Sequence, residues 1–537
     1  MTHVITILEA DTIHVSFVPE RQVEALVIDE EKVVFAGTSQ EAHRLYPQAD
    51  ESLELNGTVI PGLVDSHVHT VFTGMTGQWA NLLPEAVGSI DALVEALAGF
   101  GARQGWYRGW GYDDTLLLEG RHPDRHDLDR VSRKDPVLVT HLSGHFAVAN
   151  TRALELAGLG DATQDPAGGR FARDDAGRAT GLLWGVGAVR AIRDQCPQPE
   201  RADGMRAARE TMDQAVSHGI TQIHDMGIGS QFAAGELDIL REIADAGEMP
   251  VRLFGYLRGD LVPELLAQDP ELFRHSTPSR LQLRGAKLWA DGSIQGLSAA
   301  VVDGYDCCPE SHGNLLLSAE QIVATGLPLL AAGAQLAIHA NGDGAIGEVI
   351  EAYCDLRGRT GGHEWAKHRI EHFQMAHAEH ITAAAQAGLG ASLFTNHVHY
   401  WGDRHRDRFV GAERAERMNP LRECLDNGLT AGIHSDSPVT PMNILDTIET
   451  AVTRSTREGA ILGAAQGVSV AEAFHVATTL SAELVGMAGI VGTLEAGMLA
   501  DLALLDRDPL SAGSAPGQIS SCVVKATMVG GGWVYGA

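Results

Sequence analysis

The sequence predicts an α/β fold built on a (β/α)8 barrel, beside a small β domain assembled from both chain ends. Three observations predict it. Short apolar runs alternate with helical stretches through the middle of the chain, the two ends are β-rich, and one long interruption follows the first barrel strand. In chain order, Val4–Leu8, Ala25–Asp29, Lys32–Ala36 and Ser52–Leu55 read as strands separated by polar turns such as Asp29-Glu30-Glu31. The same texture returns in Leu502–Leu505, Val523–Val529 and Gly532–Tyr535, and chain ends often lie together.

The middle holds eight apolar runs: Val59–Val64, Gly219–His224, Val251–Tyr256, Ala286–Trp289, Leu336–His339, His368–His372, Gly390–Phe394 and Leu429–His434. Helices are expected between them at Asp203–Val216, Glu236–Ala246, Ser318–Ala332, Ala345–Leu356, Glu379–Ala387 and Met418–Asn427. Eight strand–helix alternations argue for a parallel sheet, and eight is the number that closes such a barrel. Between the first and second runs lie about 150 residues, far beyond an ordinary connection, so residues 74–200 are read as an insertion over the barrel mouth. The resulting division is 1–60 and 491–537 for the β domain and 61–490 for the barrel.

Composition sets outer limits. The 537 residues carry 40 Lys+Arg against 70 Asp+Glu, a net charge of −30 that disfavours nucleic acid and anionic membrane as partners and leaves a small-molecule substrate. The first residues lack a basic region ahead of an apolar stretch, and the most apolar window, Leu327–Ile338, is too short and interrupted to span a bilayer. The cysteines, Cys196, Cys307, Cys308, Cys354, Cys424 and Cys522, have no Cys-x-x-Cys spacing and read as reduced thiols of a cytoplasmic protein, with Cys307-Cys308 in a loop.

The chemistry gathers at strand ends. In Asp65-Ser66-His67-Val68-His69, residues i and i+2 of a strand point the same way, so His67 and His69 present two imidazoles suited to zinc or a similar divalent metal. His339, His372 and Asp436 each follow an apolar run and precede a turn, which brings them to the same rim. Lys287 is one of five lysines in the chain and ends the fourth run. Burial there favours a neutral amine, which can take up CO2 as a carbamate able to bridge two metal ions; a salt bridge to Asp291 or Asp225 is the structural alternative.

As an ordered set, Pro-Gly-Leu-Val-Asp-Ser-His67-Val-His69, Lys287-Leu-Trp-Ala-Asp-Gly-Ser, His339-Ala-Asn-Gly-Asp, Arg-Ile-Glu-His372 and Ser-Asp436-Ser-Pro resembles the amidohydrolase superfamily. More narrowly it is similar to the branch that contains N-substituted formamide deformylase. The motifs Gly109-Trp110-Gly111-Tyr112-Asp113, Ser143–Asn150 and Gly492–Leu502 agree with that branch. The resemblance implies a metal-dependent hydrolase barrel beside a composite β-sandwich domain, and a homodimer as the common habit. It further implies one or two zinc ions: His67, His69 and Asp436 on the first, His339 and His372 on the second, and carboxylated Lys287 between them. Asp436 then serves as general base and acid for a metal-activated water.

His145 is the candidate donor to the substrate carbonyl or tail, with a structural hydrogen bond inside the insertion as its other reading. Two positions depart from the branch: Leu393–Trp401 lacks its Gln-Pro pair, and His434 stands where it commonly has Gly. His397 and His399 fall in a loop after strand seven, where they contact substrate or solvent. The expected activity is hydrolysis of a non-peptide C–N bond in a small amide or N-acyl amine. Deamination or ester hydrolysis on the same centre, or a non-catalytic regulatory barrel, are the alternatives.

Overall fold

Eight parallel strands form a nearly closed barrel in chain order: Leu63–Val68, Ile220–Ile228, Arg252–Arg258, Leu281–Trp289, Gln335–Ala340, Arg369–His372, Gly390–Leu393 and Thr430–Ile433. The computed structural model describes residues 4–166, 169–274, 280–361, 367–512 and 515–536. Apart from Leu281–Arg284 of strand four and a few terminal residues these strands are buried, which is why they read as continuous apolar runs rather than alternating ones. Register carries each strand's last residues to one end: Trp289 pairs with His339, Ala340 with His372, and His372 with Leu393. Strand eight meets strand one through Asp436 N–H to His67 O at 3.0 Å and His69 N–H to Ser437 O at 3.0 Å.

The first barrel strand begins later than its apolar run. Val59–Pro61 completes Glu51–Pro61, which pairs with Leu502–Leu505 and Ile5–Phe17. The chain passes from one sheet to the other at Gly62, where a Cβ would lie 2.1 Å from Thr221 Oγ1. Strands from both chain ends form one seven-stranded mixed sheet, ordered Gly532–Tyr535, Val524–Val529, Leu502–Leu505, Glu51–Pro61, Ile5–Phe17, Glu20–Asp29 and Lys32–Gly37. The period-2 rule sorts its faces. Leu8, Leu26 and Ile28 pack with Leu494 and Leu502, while Ile7, Ala25 and Val27 pack under Ala42 of helix Ser39–Leu45.

This sheet and the barrel belong to one compact unit. Val71–Ala207 with Gln295–Ser298 forms a second, whose six-stranded sheet buries Val137, Val139 and Val148 on one face and Leu138, Ala147 and Ala149 on the other.

The helices follow their local signals. Ser318 caps Ala319–Ala331 in a capping box with Gln321, as its Ser-x-x-Gln spacing predicts. Residues expected to form a loop after strand seven instead form helix Asn396–Arg404, because Val398 and Trp401 are buried by tertiary packing. The cysteines are free, with Cys307 and Cys308 Sγ atoms 3.4 Å apart. Among the described residues no helix is long and apolar enough to cross a membrane.

Candidate metal centre

The C-terminal ends of strands one, four, five, six and eight bring His67, His69, Lys287, His339, His372 and Asp436 into one cluster. Asp436 Oδ1 lies 3.5 Å from His67 Nε2 and 3.4 Å from His69 Nε2. Lys287 Nζ lies 3.5 Å from His67 Nε2. The His372 ring is 4.9 Å from that of His67 and 4.5 Å from that of His339. Two of these residues hold left-handed backbone, His372 at φ 70° and Asp436 at φ 54°, conformations that cost about 1–3 kcal/mol each and collect at functional sites. Asp65 stabilises the Asp436 turn by accepting from the Ser435 amide at 3.1 Å and from the Ser435 hydroxyl. Burial pushes Asp65 up to about 7.

Hydrogen-bond chemistry shows which nitrogens face inward. His67 Nδ1 is 2.8 Å from Glu371 Oε2. Glu371 is already paired with Arg369 through Nε at 2.7 Å and Nη2 at 3.0 Å, so it acts as a carboxylate acceptor. The His67 proton therefore sits on Nδ1, and Nε2 presents a lone pair to the cluster. His339 Nε2 lies 2.9 Å from Gly292 O, an acceptor, and 3.0 Å from Asn341 Nδ2, a donor. Burial first, then the neighbouring Lys287 ammonium, holds His67 far below the usual imidazole range; burial and the His339 ring do the same for His372. Both are neutral, the form a metal ligand requires.

Lys287 is buried and makes neither of the salt bridges its sequence position allowed. Asp225 accepts from the Thr70 and Gly227 amides, and Asp291 from those of Ala300, Asn341 and Gly342. Without a carboxylate in contact, burial lowers the Lys287 amine to about 8. Asp436 Oδ1 is buried and has no hydrogen-bond donor. An unsatisfied carboxylate oxygen, the His67 lone pair and a depressed amine suit a divalent cation, because leaving such groups unpaired in a dry interior is costly.

Sequence reading assigns no role at the metal centre to three participants. Arg369 and Glu371 sit two residues apart on strand six and both point inward, where Arg369 also donates to Ser66 O at 2.7 Å and contacts His224 Nδ1 at 2.9 Å. Their signal was available as two opposite charges at strand spacing inside an apolar run. His434 is buried at the centre of the cluster, with its Nε2 3.2 Å from His372 Nδ1. His67, His372 and His434 can bring one ligand nitrogen each within 4.8 Å of one another.

Other candidates lie elsewhere. His397 is buried on its helix, with its ring 6.3 Å from that of His372, and burial lowers it to about 3; it is not a solvated loop residue. His145 belongs to the second unit, where burial lowers it to about 4. That unit also groups Asp113, Asp114 and His141. There His141 Nδ1 accepts the Ser143 amide at 3.0 Å, so its proton is on Nε2, facing Asp114 at 3.4 Å. With its proton on Nε2, that histidine presents no lone pair to Asp114 for a shared metal.

Comparison with known proteins agrees with this geometry. The profile of the amidohydrolase family matches residues 55–535. The chain is 27% identical to N-substituted formamide deformylase of Arthrobacter pascens, covering 95% of this chain and 94% of that protein. It is 26% identical to the putative amidohydrolase YtcJ of Bacillus subtilis (strain 168), covering 95% and 96%. Among solved structures, an uncharacterized metal-dependent hydrolase from Pyrococcus horikoshii OT3 superposes with a TM-score of 0.78 at 25% identity, covering 95% of this chain and 99% of that one.

Proposed function

We propose a reaction from one premise, that this chain belongs to the amidohydrolase family: as a metal-dependent hydrolase it cleaves a C–N bond outside peptides, in a small amide or an N-formyl or N-acyl amine. The observation that carries the reading is Asp436 Oδ1, a buried carboxylate oxygen without a donor, within 3.5 Å of two imidazole nitrogens. The relative named for N-substituted formamide deformylation supports the choice of bond.

In this reading His67, His69 and Asp436 would hold one zinc ion and His339 and His372 a second, and Lys287, as a CO2-derived carbamate, would supply a further ligand. When bound, the metal supplies an acidified water and polarises the substrate carbonyl. The protein's own groups do the rest. Glu371 keeps the His67 proton on the nitrogen that faces away from the cluster, and burial, by lowering Lys287 to about 8, raises the share of the neutral amine that reacts with CO2. Asp436 accepts the proton released by the attacking water and delivers it to the leaving nitrogen, so water and an N-acyl amine become a carboxylic acid and a free amine. The net charge of −30 supports small molecules rather than nucleic acid or anionic membranes as partners, the free thiols suit a cytoplasmic protein, and a homodimer is what the family resemblance implies.

The test is metal analysis of the purified full chain, coupled to a panel of N-formyl and N-acetyl amines. Bound zinc and chelator-sensitive release of acid and amine in equal amounts are expected. Full metal loading without turnover of any amide, or ammonia release from ring amines instead, would overturn the assignment.

A further inference from the structure

We infer that His434 is a positioning residue for His372, held in one tautomer by a chain of two serine hydroxyls that crosses the barrel interior. The inference rests on the reading of His372 as a metal ligand. It starts from a count of protons. Ser66 Oγ lies 2.8 Å from Ile433 O, and a carbonyl oxygen can only accept, so Ser66 donates its single hydroxyl proton there. Ser392 Oγ is 2.7 Å from Ser66 Oγ, and with the Ser66 proton engaged, Ser392 must be the donor of that bond. Ser392 then has no proton left for its third partner, His434 Nδ1 at 2.6 Å, so the ring N–H donates to the hydroxyl.

The proton of neutral His434 is thus on Nδ1, and Nε2 carries a lone pair. That nitrogen lies 3.2 Å from His372 Nδ1, which must supply the hydrogen. His372 is left with its lone pair on Nε2, on the ring that packs 4.5 Å from His339 and 4.9 Å from His67. Every link runs one way, from His372 through His434, Ser392 and Ser66 to the Ile433 carbonyl. Packing fixes the middle ring: it stacks on His67 at 4.8 Å and on Phe394 at 5.1 Å. Gly432 clears the path, since a Cβ there would lie 2.9 Å from Ser66 Oγ. Glu371 fixes the His67 tautomer by charge; this relay fixes the His372 tautomer without a carboxylate. Partners that orient a ligating histidine are worth roughly 10–100-fold in metal affinity.

The experiment measures zinc affinity of the metal-stripped full chain by competition with a chromogenic chelator, for wild type, His434→Leu, His434→Gln and Ser392→Ala. Leucine removes the acceptor and should raise the dissociation constant of the affected zinc by roughly 10–100-fold. Glutamine carries an acceptor oxygen at the reach of Nε2 and should restore most of that loss. Thermal unfolding of the metal-free proteins checks folding. If His434→Leu does not fold, Ser392→Ala carries the test, with a smaller rise expected. Wild-type affinity in the folded Leu variant, or in Ser392→Ala, or equal losses for Leu and Gln, would overturn the relay while leaving the metal centre intact. A crystal structure of the zinc-loaded wild type should show zinc on His372 Nε2; zinc bonded directly to His434 would also overturn the relay. Wild type that binds no zinc at all would refute the underlying metal centre instead.

Discussion

Asp436 has two possible duties, ligand and proton carrier, and a single substitution separates them. Asp436→Asn keeps the shape and one carbonyl oxygen toward His67 and His69 but removes proton transfer. Metal content should stay near wild type while turnover falls on the order of 10²–10⁴-fold, read by metal analysis and steady-state kinetics. Metal loss in parallel with activity would assign Asp436 to binding alone. Glu236 illustrates a buried carboxyl with a different consequence. It accepts from the Gln231 amide at 2.8 Å, and burial, reinforced by the Asp225 carboxylate, pushes it up to about 8. Between its ordinary value of 4.5 and 8, the native state holds a proton that the unfolded chain releases. The stabilising contribution is complete below that window and is lost as pH rises through it, by up to roughly 1.4 kcal/mol per unit. Glu236→Gln should remove this slope, which urea unfolding from pH 5 to 8.5 would reveal; parallel profiles for the two proteins would refute it. The identities of the six candidate ligands were legible because they close five apolar runs, His67 and His69 sharing the first. The proton positions were not, because the partner that fixes His67 lies 304 residues away on another strand.

At the scale of elements, the site depends on strands four and five staying in register, since they carry Lys287 and His339. Gly285 pairs with Gln335, and a Cβ at position 285 would lie 1.7 Å from the Gln335 carbonyl oxygen. That atom is backbone and cannot rotate away. Gly285→Ala should therefore push the strands apart, costing about 1–3 kcal/mol and lowering metal content, as thermal unfolding and metal analysis would show. Unchanged stability and loading would mean the sheet adjusts without disturbing its rim. Helix Ala319–Ala331 was readable because its cap and its apolar period lie within one segment. Helix Asn396–Arg404 was not, because its histidines and aromatics gain helical order only from the packing that buries Val398 and Trp401. Strand one was misplaced at its start for a related reason. Val59–Val64 is uniformly apolar although two different sheets bury its two halves.

Across the whole barrel–sheet unit, Asp501 is the tie. Its carboxylate takes Arg252 Nε at 2.7 Å and Nη2 at 3.0 Å from barrel strand three, and the Gly530 amide at 2.7 Å from the terminal sheet. Its backbone oxygen accepts from Gly62 at 2.9 Å, where the chain enters the barrel. Asp501→Ala would leave Arg252 nearly buried without its partner, and the expected loss is about 3–5 kcal/mol in unfolding free energy. A loss below about 1 kcal/mol would show that solvent or another group replaces the carboxylate. By itself, the sequence determined the barrel, the β-rich ends and the six side chains at the rim, because an apolar run closing on a polar residue is a local pattern. The tertiary structure alone decided that Val59–Pro61 belongs to the terminal sheet, that His434 joins the cluster, and which ring nitrogens carry protons. Those facts depend on strands meeting across the barrel, and contacts between distant segments leave no periodic trace in either one.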